Sequence, residues 1–264
     1  MNDLRAQIYN DLHNNQLKVD EQANRYSANR ILDILDSYIQ PASVLDVGCG
    51  LGTWLAVLSG RGVKDLCGID GPWLSTQNTV CDPSILQIVD LESGFNLGRR
   101  FDLAISLEVA EHLSPQAAEG FIKSLTQHSS AVLFSAAIPL QGGHHHVNEQ
   151  FLSYWITLFE KHSFRPLDII RGRIWQDQQV HWWLRQNIVL FARDELIEAN
   201  EDLRKAVATT PISVVHPEVY VMRLQGLLAQ LKQFKQLNAF LSQGGSFKSE
   251  LTAQNQFRLT RLGS

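Results

Sequence analysis

The stretch Val44-Leu45-Asp46-Val47-Gly48-Cys49-Gly50-Leu51-Gly52-Thr53-Trp54 constrains this chain more than any other part, because an apolar run breaks into alternate glycines and then into a helical pattern. A buried strand accounts for the apolar run, and a turn in which a ligand touches the backbone accounts for Gly48 and Gly50. The helix that begins at Gly52 or just after it presents unpaired N–H groups to that turn, an arrangement suited to a nucleotide-like ligand. In such a unit the next strand ends in a carboxylate that accepts hydrogen bonds from ribose hydroxyls, and Leu66-Cys67-Gly68-Ile69-Asp70 ends in Asp70. The dinucleotide fingerprint G-x-G-x-x-G fails, since its third glycine falls on Thr53 when counted from Gly48.

At 264 residues, 44% hydrophobic and 19% charged, the chain has room for one large domain with an appendage, or for two small ones. No segment approaches the roughly 20 apolar residues of a membrane span, and Met1-Asn2-Asp3-Leu4-Arg5 lacks a secretory apolar segment, so a cytoplasmic location is expected. Cys49, Cys67 and Cys81 are odd in number and lack Cys-x-x-Cys spacing, which predicts free thiols. The net charge of −4 is divided: residues 223–264 carry six Lys or Arg against Glu250 alone, leaving the rest at −9. An acidic body argues against bulk nucleic-acid binding, and the basic tail reads as a solvated helix face or a contact for an anionic partner.

Alternate glycines preceded by Asp46 resemble the first motif of the class I S-adenosylmethionine-dependent methyltransferases, acidic-x-Gly-x-Gly-x-Gly. Further segments match that family in order: Ile85-Leu86-Gln87-Ile88-Val89-Asp90-Leu91 as its third strand, Phe101-Asp102-Leu103-Ala104-Ile105-Ser106-Leu107-Glu108-Val109-Ala110-Glu111-His112-Leu113 as its fourth strand and the following helix start, and Ala131-Val132-Leu133-Phe134-Ser135-Ala136 as its fifth. The resemblance covers roughly residues 25–193. It implies an α/β fold, Rossmann-like, with a seven-stranded mostly parallel sheet and helices on both faces. It also implies S-adenosyl-L-methionine as cofactor, held by Asp46, Gly48, Cys49, Gly50, Asp70, Gly71, Asp90, Leu91 and Leu107, with Asp90 at the adenine amino group.

Three regions follow from the pattern: an N-terminal helical lid or packing arm over 1–25, the methyltransferase domain over 26–193, and a C-terminal helical extension over 194–264. Residues 3 to about 37 read as helical, with Ala28, Ile31, Leu32, Ile34 and Leu35 at helical spacing before Pro41. Asn148 is the expected N-cap of an amphipathic helix from Gln150 to His162. Closing strands are expected near Leu167–Ile174 and Gln186–Phe191, the final pair reversed as in the family. Trp175 and His181-Trp182-Trp183 lie in their connection, where packing is the expectation and stacking on a substrate the alternative. Leu224, Leu227, Leu231, Phe234, Leu237 and Leu241 form an apolar seam over about 18 residues, short for a long coiled coil; it docks on the body or pairs with a second chain. Gly244-Gly245-Ser246 ends it, and the last residues read as poorly ordered.

Methyl transfer from a sulfonium is an in-line displacement, so a hydroxyl acceptor must be aligned and relieved of its proton. Glu108, Glu111 and His112 stand at i, i+3 and i+4, on one face if that segment is helical. This set resembles two metal-dependent branches of the methyltransferases, the small-RNA 2′-O-methyltransferases and the ubiquinone-pathway O-methyltransferases. Likeness to the first implies a further His from the loop after the fifth strand, matched here by His146, and a site of Glu108, Glu111, His112 and His146 for Mg²⁺ or Mn²⁺. Glu-x-x-Glu-His also occurs in methyltransferases that need no metal; there His146, His145 or His112 would act as a general base. In a third reading the three adjacent histidines merely close a loop.

Likeness from Gly142-Gly143 through His146-Val147-Asn148-Glu149-Gln150 to Val215-His216-Pro217-Glu218 with bacterial methyltransferases of surface-glycan pathways implies O-methylation of a hydroxylated acceptor, a sugar or glycan or a natural product. Two alternatives stand beside it: a metal-dependent RNA 2′-O-methyltransferase, and a non-catalytic cofactor-binding subunit with the C-terminal helix as a homodimer contact. A nicotinamide-dependent oxidoreductase is disfavoured by Thr53.

Overall fold

A computed structural model describes residues 21–74, 78–207, 213–242, 247–251 and 257–261. The chain divides into two compact units, Met1–His216 and Pro217–Ser264. Most of the expected N-terminal lid, residues 1–20, lies outside the described residues.

In the first unit, helix α1 (Glu21–Leu35) precedes β1 (Ser43–Val47), α2 (Thr53–Gly60), β2 (Asp65–Asp70) and β3 (Leu86–Ile88). Then come β4 (Leu103–Leu107), α3 (Ala118–His128), β5 (Ala131–Ser135), α4 (Leu152–Glu160) and β6 (Phe164–Leu167). Two short helices, α5 (Arg171–Ile174) and α6 (Trp182–Asn187), lead to β7 (Val189–Arg193), and α7 (Asp194–Ala199) and α8 (Glu201–Ala206) close the unit. The seven strands lie in the order β3-β2-β1-β4-β5-β7-β6. All neighbours pair in parallel except β7, which runs antiparallel to both β5 and β6. This is the mostly parallel seven-stranded sheet that the sequence predicts.

Period-two alternation assigns each strand residue to one face. Leu45, Val47, Val132, Phe134, Val189 and Phe191 enter one apolar cluster with Phe121 of α3 and Trp155 and Phe159 of α4. Val44, Leu103, Ile105, Leu133, Leu190 and Ala192 enter the other, with Ile31 and Leu35 of α1 and Val57 and Leu58 of α2. Phe134 lies 5.4 Å from the rings of both Trp155 and Phe159 and 6.0 Å from Phe191. Truncating so central an aromatic costs about 3–5 kcal/mol.

Chain order reverses between β1 and β4, so the carboxyl ends of these two strands flank the crevice where open α/β sheets bind ligands. α2 starts at Thr53 behind Gly52, as its sequence predicts. Several boundaries differ from expectation. β3 is limited to Leu86–Ile88, since Asp90 turns the chain by accepting from the Glu92 N–H (3.1 Å) and the Ser93 hydroxyl (2.7 Å). The expected strand Leu167–Ile174 ends at Leu167; Arg171, buried, pairs with Asp168 (2.7 and 2.8 Å) at the i, i+3 spacing of a helical turn. Gln186 and Asn187 finish α6 rather than open β7. A short apolar run satisfies either period, and here polar pairing decided between them. The aromatic helix begins at Leu152 behind Phe151; Asn148 is buried and accepts from the Gln150 side chain (3.0 Å) instead of capping.

The second unit holds helix α9 (Pro217–Ser242) and an antiparallel pair, β8 (Phe247–Leu251) and β9 (Phe257–Arg261). Within the tail expected to be poorly ordered, residues 247–251 and 257–261 are thus paired; its other residues lie outside the described ones. Among the described residues no helix is long and apolar enough to cross a membrane.

Candidate active site

The turn after β1 is built around glycine. Gly48, Gly50 and Gly52 all have positive φ (78°, 54° and 77°), a region that side chains other than glycine enter at a cost. A Cβ on Gly48 would come within 2.3 Å of a Val109 methyl, and one on Gly52 within 2.2 Å of Cys81 Sγ; a Cβ on Gly50 would meet nothing within 4 Å. Two glycines therefore allow close packing, whereas Gly50 leaves an open face over the turn.

Asp70, buried at the end of β2, clamps this turn. Its carboxylate accepts from the Gly50 N–H, the Gly71 N–H and the Trp73 indole N–H, each at 2.7 Å. Trp73 covers Gly71, whose Cβ would fall 2.4 Å from the indole ring. Asp46 lies beside it, 4% exposed, and its Oδ2 has no hydrogen-bond partner. Burial and the Asp70 charge push the Asp46 carboxyl up to about 8. Cys49 is buried next to the same acids, and its thiol is pushed far up, by burial first. The Asp70 charge, with a buried Asp46 that a nearby cation would help to ionise, favours a ligand that carries positive charge, such as an ammonium and a sulfonium, over the pyrophosphate of a dinucleotide. Residues and cofactor thus fit. Asp90 and Leu91 stand at the turn after β3, Asp90 exposed and Leu91 buried, and Leu107 is half-buried at the end of β4.

The acid–histidine motif follows β4, though not on an α-helix. Glu108 takes φ 54°, Val109 turns the chain, and Ala110–His112 form one 3₁₀ turn. This places Glu111, His112 and His146 together: one ligand atom from each lies within 4.8 Å of the other two. The His112 and His146 rings meet edge to face at 4.8 Å. Glu111 is fully buried, neither carboxylate oxygen makes a well-formed hydrogen bond, and burial and the Glu108 charge hold its carboxyl well above the usual range. A buried acid in that state, beside two imidazoles, fits a divalent cation.

The loop after β5 is fastened to the cluster at both ends. Val147 and Asn148 donate their N–H groups to the Glu111 carbonyl (2.9 and 3.0 Å). Glu149 accepts from the Leu140 and Gly142 N–H groups, each at 2.8 Å, and pairs with His146 Nδ1 at 2.9 Å. A carboxylate on one ring nitrogen fixes the imidazole and leaves Nε2 for chemistry. The His146 ring packs on Gly143, where a Cβ would fall 2.2 Å from Nε2.

Glu108 is placed differently from the other three. Its carboxylate accepts from Gln141 Nε2 (2.8 Å) and Asn187 Nδ2 (3.1 Å), and its N–H donates to the Ser135 carbonyl and hydroxyl (3.0 and 3.1 Å). Gln141 Oε1 in turn accepts from Asn187 (2.9 Å) and Gln186 (3.2 Å), and Gln186 Oε1 accepts from the His216 N–H (2.8 Å). His145, with φ 58°, is exposed and outside the cluster. Gln141, Glu149, Asn187 and Trp73 carry no site role in the sequence pattern: Gln141 and Asn187 reach Glu108 from 33 and 79 residues away, whereas His146-x-x-Glu149 and Asp70-x-x-Trp73 each pair at a spacing of three. The tryptophans between β6 and β7 pack: Trp183 borders the α1 face of the core and stacks on His181 at 4.2 Å, and Trp175 lies 4.4 Å from the His216 ring.

A family model described as a methyltransferase domain matches residues 19–187. No curated protein matches the sequence significantly. Among solved structures, an O-methyltransferase family protein from Burkholderia thailandensis aligns with TM-score 0.51 and 12% identity, covering 70% of this chain and 59% of its own. Magnesium protoporphyrin IX methyltransferase from Synechocystis PCC 6803, solved with bound SAH, aligns with TM-score 0.49 and 16% identity over 65% of this chain and 84% of its own. The methyltransferase domain of bacterial CtHen1 aligns with TM-score 0.47 and 19% identity over 65% and 98%. The likeness to the Burkholderia protein, at 12% identity, speaks to fold alone, and the family match, which spans more than half the sequence, speaks to kind: the chain belongs to the methyltransferase-domain family and is an S-adenosylmethionine-dependent methyltransferase.

Proposed function

We propose that the protein O-methylates a hydroxylated acceptor, a sugar or glycan, at the cluster of Glu111, His112 and His146. The observation that carries this reading is the convergence of those three side chains after β4 and β5, one turn from Val109, which itself packs on Gly48 of the cofactor turn. S-adenosylmethionine supplies the methyl group as a sulfonium. Asp46, Gly48, Cys49 and Gly50 would line its amino-acid end, Asp70 and Gly71 its ribose, Asp90 and Leu91 its adenine, and Leu107 its methionine side. Trp73 is the most exposed of the three donors to Asp70, so its indole would be the one to yield that carboxylate to a ribose hydroxyl.

Glu111, His112 and His146 would hold Mg²⁺ or Mn²⁺, which lowers the pKa of a hydroxyl it touches. Glu149 orients His146 in either regime: without a cation, Nε2 takes up the acceptor proton, and with one, the hydroxyl of lowered pKa would release its proton to solvent. Glu108, occupied by two amide donors, supports the cluster from behind rather than completing it. The acidic body favours a neutral or cationic acceptor over RNA.

The test is transfer of labelled methyl from S-adenosylmethionine to a panel of mono- and oligosaccharides. We expect activity lost in EDTA and restored by Mg²⁺ or Mn²⁺. His146→Ala should bind S-adenosylhomocysteine normally while turnover falls by about 10²-fold, the usual worth of a proton-accepting group. Full activity of His146→Ala in EDTA would remove the cluster from the chemistry.

A further inference from the structure

We propose that α9 is a dimerisation helix, through which two copies of this chain pair as a parallel, in-register, two-stranded coiled coil. Tyr220, Leu224, Leu227, Leu231, Phe234, Asn238 and Leu241 step alternately by four and three along α9, the 3.5-residue repeat of a supercoil rather than the 3.6 of a helix lying on a globular core. The six apolar members of the seam stand between 43% (Leu224) and 61% (Tyr220) exposed. The seam runs for about three heptads, roughly 33 Å of helix, the shortest stretch that specifies such pairing.

Asn238 identifies the occupant. With Tyr220, Leu227, Phe234 and Leu241 at d, the residues at a are Leu224, Leu231 and Asn238. In a parallel, in-register pair each a residue meets its own counterpart, so the Asn238 amides hydrogen-bond to one another across the seam. An antiparallel pair, or an unrelated apolar helix, would bury that amide against leucine or phenylalanine. A single polar a position sets register and two-stranded state in this way. Leu237, apolar in the same run, falls at g beside the seam, and the flanking positions agree: at g and e, Arg223 would face Leu228, Gln230 would face Lys235 and Leu237 would face Ser242 of the other copy, so no like charges meet. Gly226, at c, lies outside the seam.

The test is sedimentation equilibrium of the full chain at micromolar concentration. We expect twice the 29.8 kDa of one chain. Leu231→Glu should raise the dissociation constant at least tenfold while the far-UV spectrum and S-adenosylhomocysteine binding stay unchanged, which separates pairing from folding. Leu241→Cys, at a d position facing its counterpart, should form a disulfide-linked dimer on mild oxidation where the wild-type chain does not. A monomeric wild-type chain, a trimer, a dimer indifferent to Leu231→Glu, or a dimer that Leu241→Cys fails to cross-link would each overturn the proposal.

Discussion

A carboxyl group buried beside a second carboxylate is stable only while it keeps its proton, and Asp46 is in that position. Its folded value of about 8 stands above the ordinary 3.8, so between those values the folded state holds a proton that the unfolded chain releases. Stability from this group is therefore fully present below about pH 4 and lost as pH rises through about 8. Ligand-free protein should melt at progressively lower temperature from pH 5 to pH 8. Asp46→Asn should flatten that slope while weakening S-adenosylhomocysteine binding, and an unchanged slope in melting curves would show that Asp46 titrates normally. Asp70→Ala should cost about 1–3 kcal/mol of cofactor affinity, the usual worth of charge-assisted bonds left unmade, read by calorimetry in a variant whose fold is checked by circular dichroism. Both acids were legible in the sequence, Asp46 because it stands two residues before Gly48 and Asp70 because it ends the next strand. Trp73 and Asn187 were not: their roles come from reaching Asp70 and Glu108, and Asn187 lies 79 residues from its partner.

At the scale of elements, the loop after β5 matters most, because one side chain holds it. Glu149 gathers the Leu140 and Gly142 N–H groups and His146 Nδ1, so it fixes both the path of the loop and the ring it carries. Glu149→Ala should leave cofactor affinity within about threefold of wild type but lower Mn²⁺ affinity by about 10–100-fold, the range seen when a carboxylate behind a histidine ligand is removed. Equal Mn²⁺ binding, measured by electron paramagnetic resonance, would mean that the cluster holds no cation or that Glu149 does not orient it. Glu111, His112 and His146 were singled out in the sequence, but the helical face expected for Glu108, Glu111 and His112 is absent; a positive-φ Glu108 and a 3₁₀ turn bring Glu111 and His112 to His146, which comes from the loop after β5. Such a turn has no periodic signature. The same blindness placed a strand over Leu167–Ile174, where the pairing of buried Arg171 with half-buried Asp168 was decisive.

At the scale of the molecule, topology was the most readable property, since four separate segments, the glycine turn and three apolar strands, had to recur in one order. Sheet order β3-β2-β1-β4-β5-β7-β6 sets the glycine turn and the acid–histidine motif after adjacent strands, β1 and β4, which in the function proposed above would put cofactor and acceptor side by side. What composition could not convey is the pairing of β8 with β9, because Gly-, Ser- and Gln-rich flanks mask two short strands. The central claim is that Asp46, Asp70 and the glycines after β1 bind a cationic nucleoside cofactor and not a dinucleotide. Its most direct test is a calorimetric titration of the purified protein with S-adenosylhomocysteine, with NADH as control. Saturable one-to-one binding of S-adenosylhomocysteine and none of NADH is the expected result. Binding of NADH, or of neither, would contradict the claim.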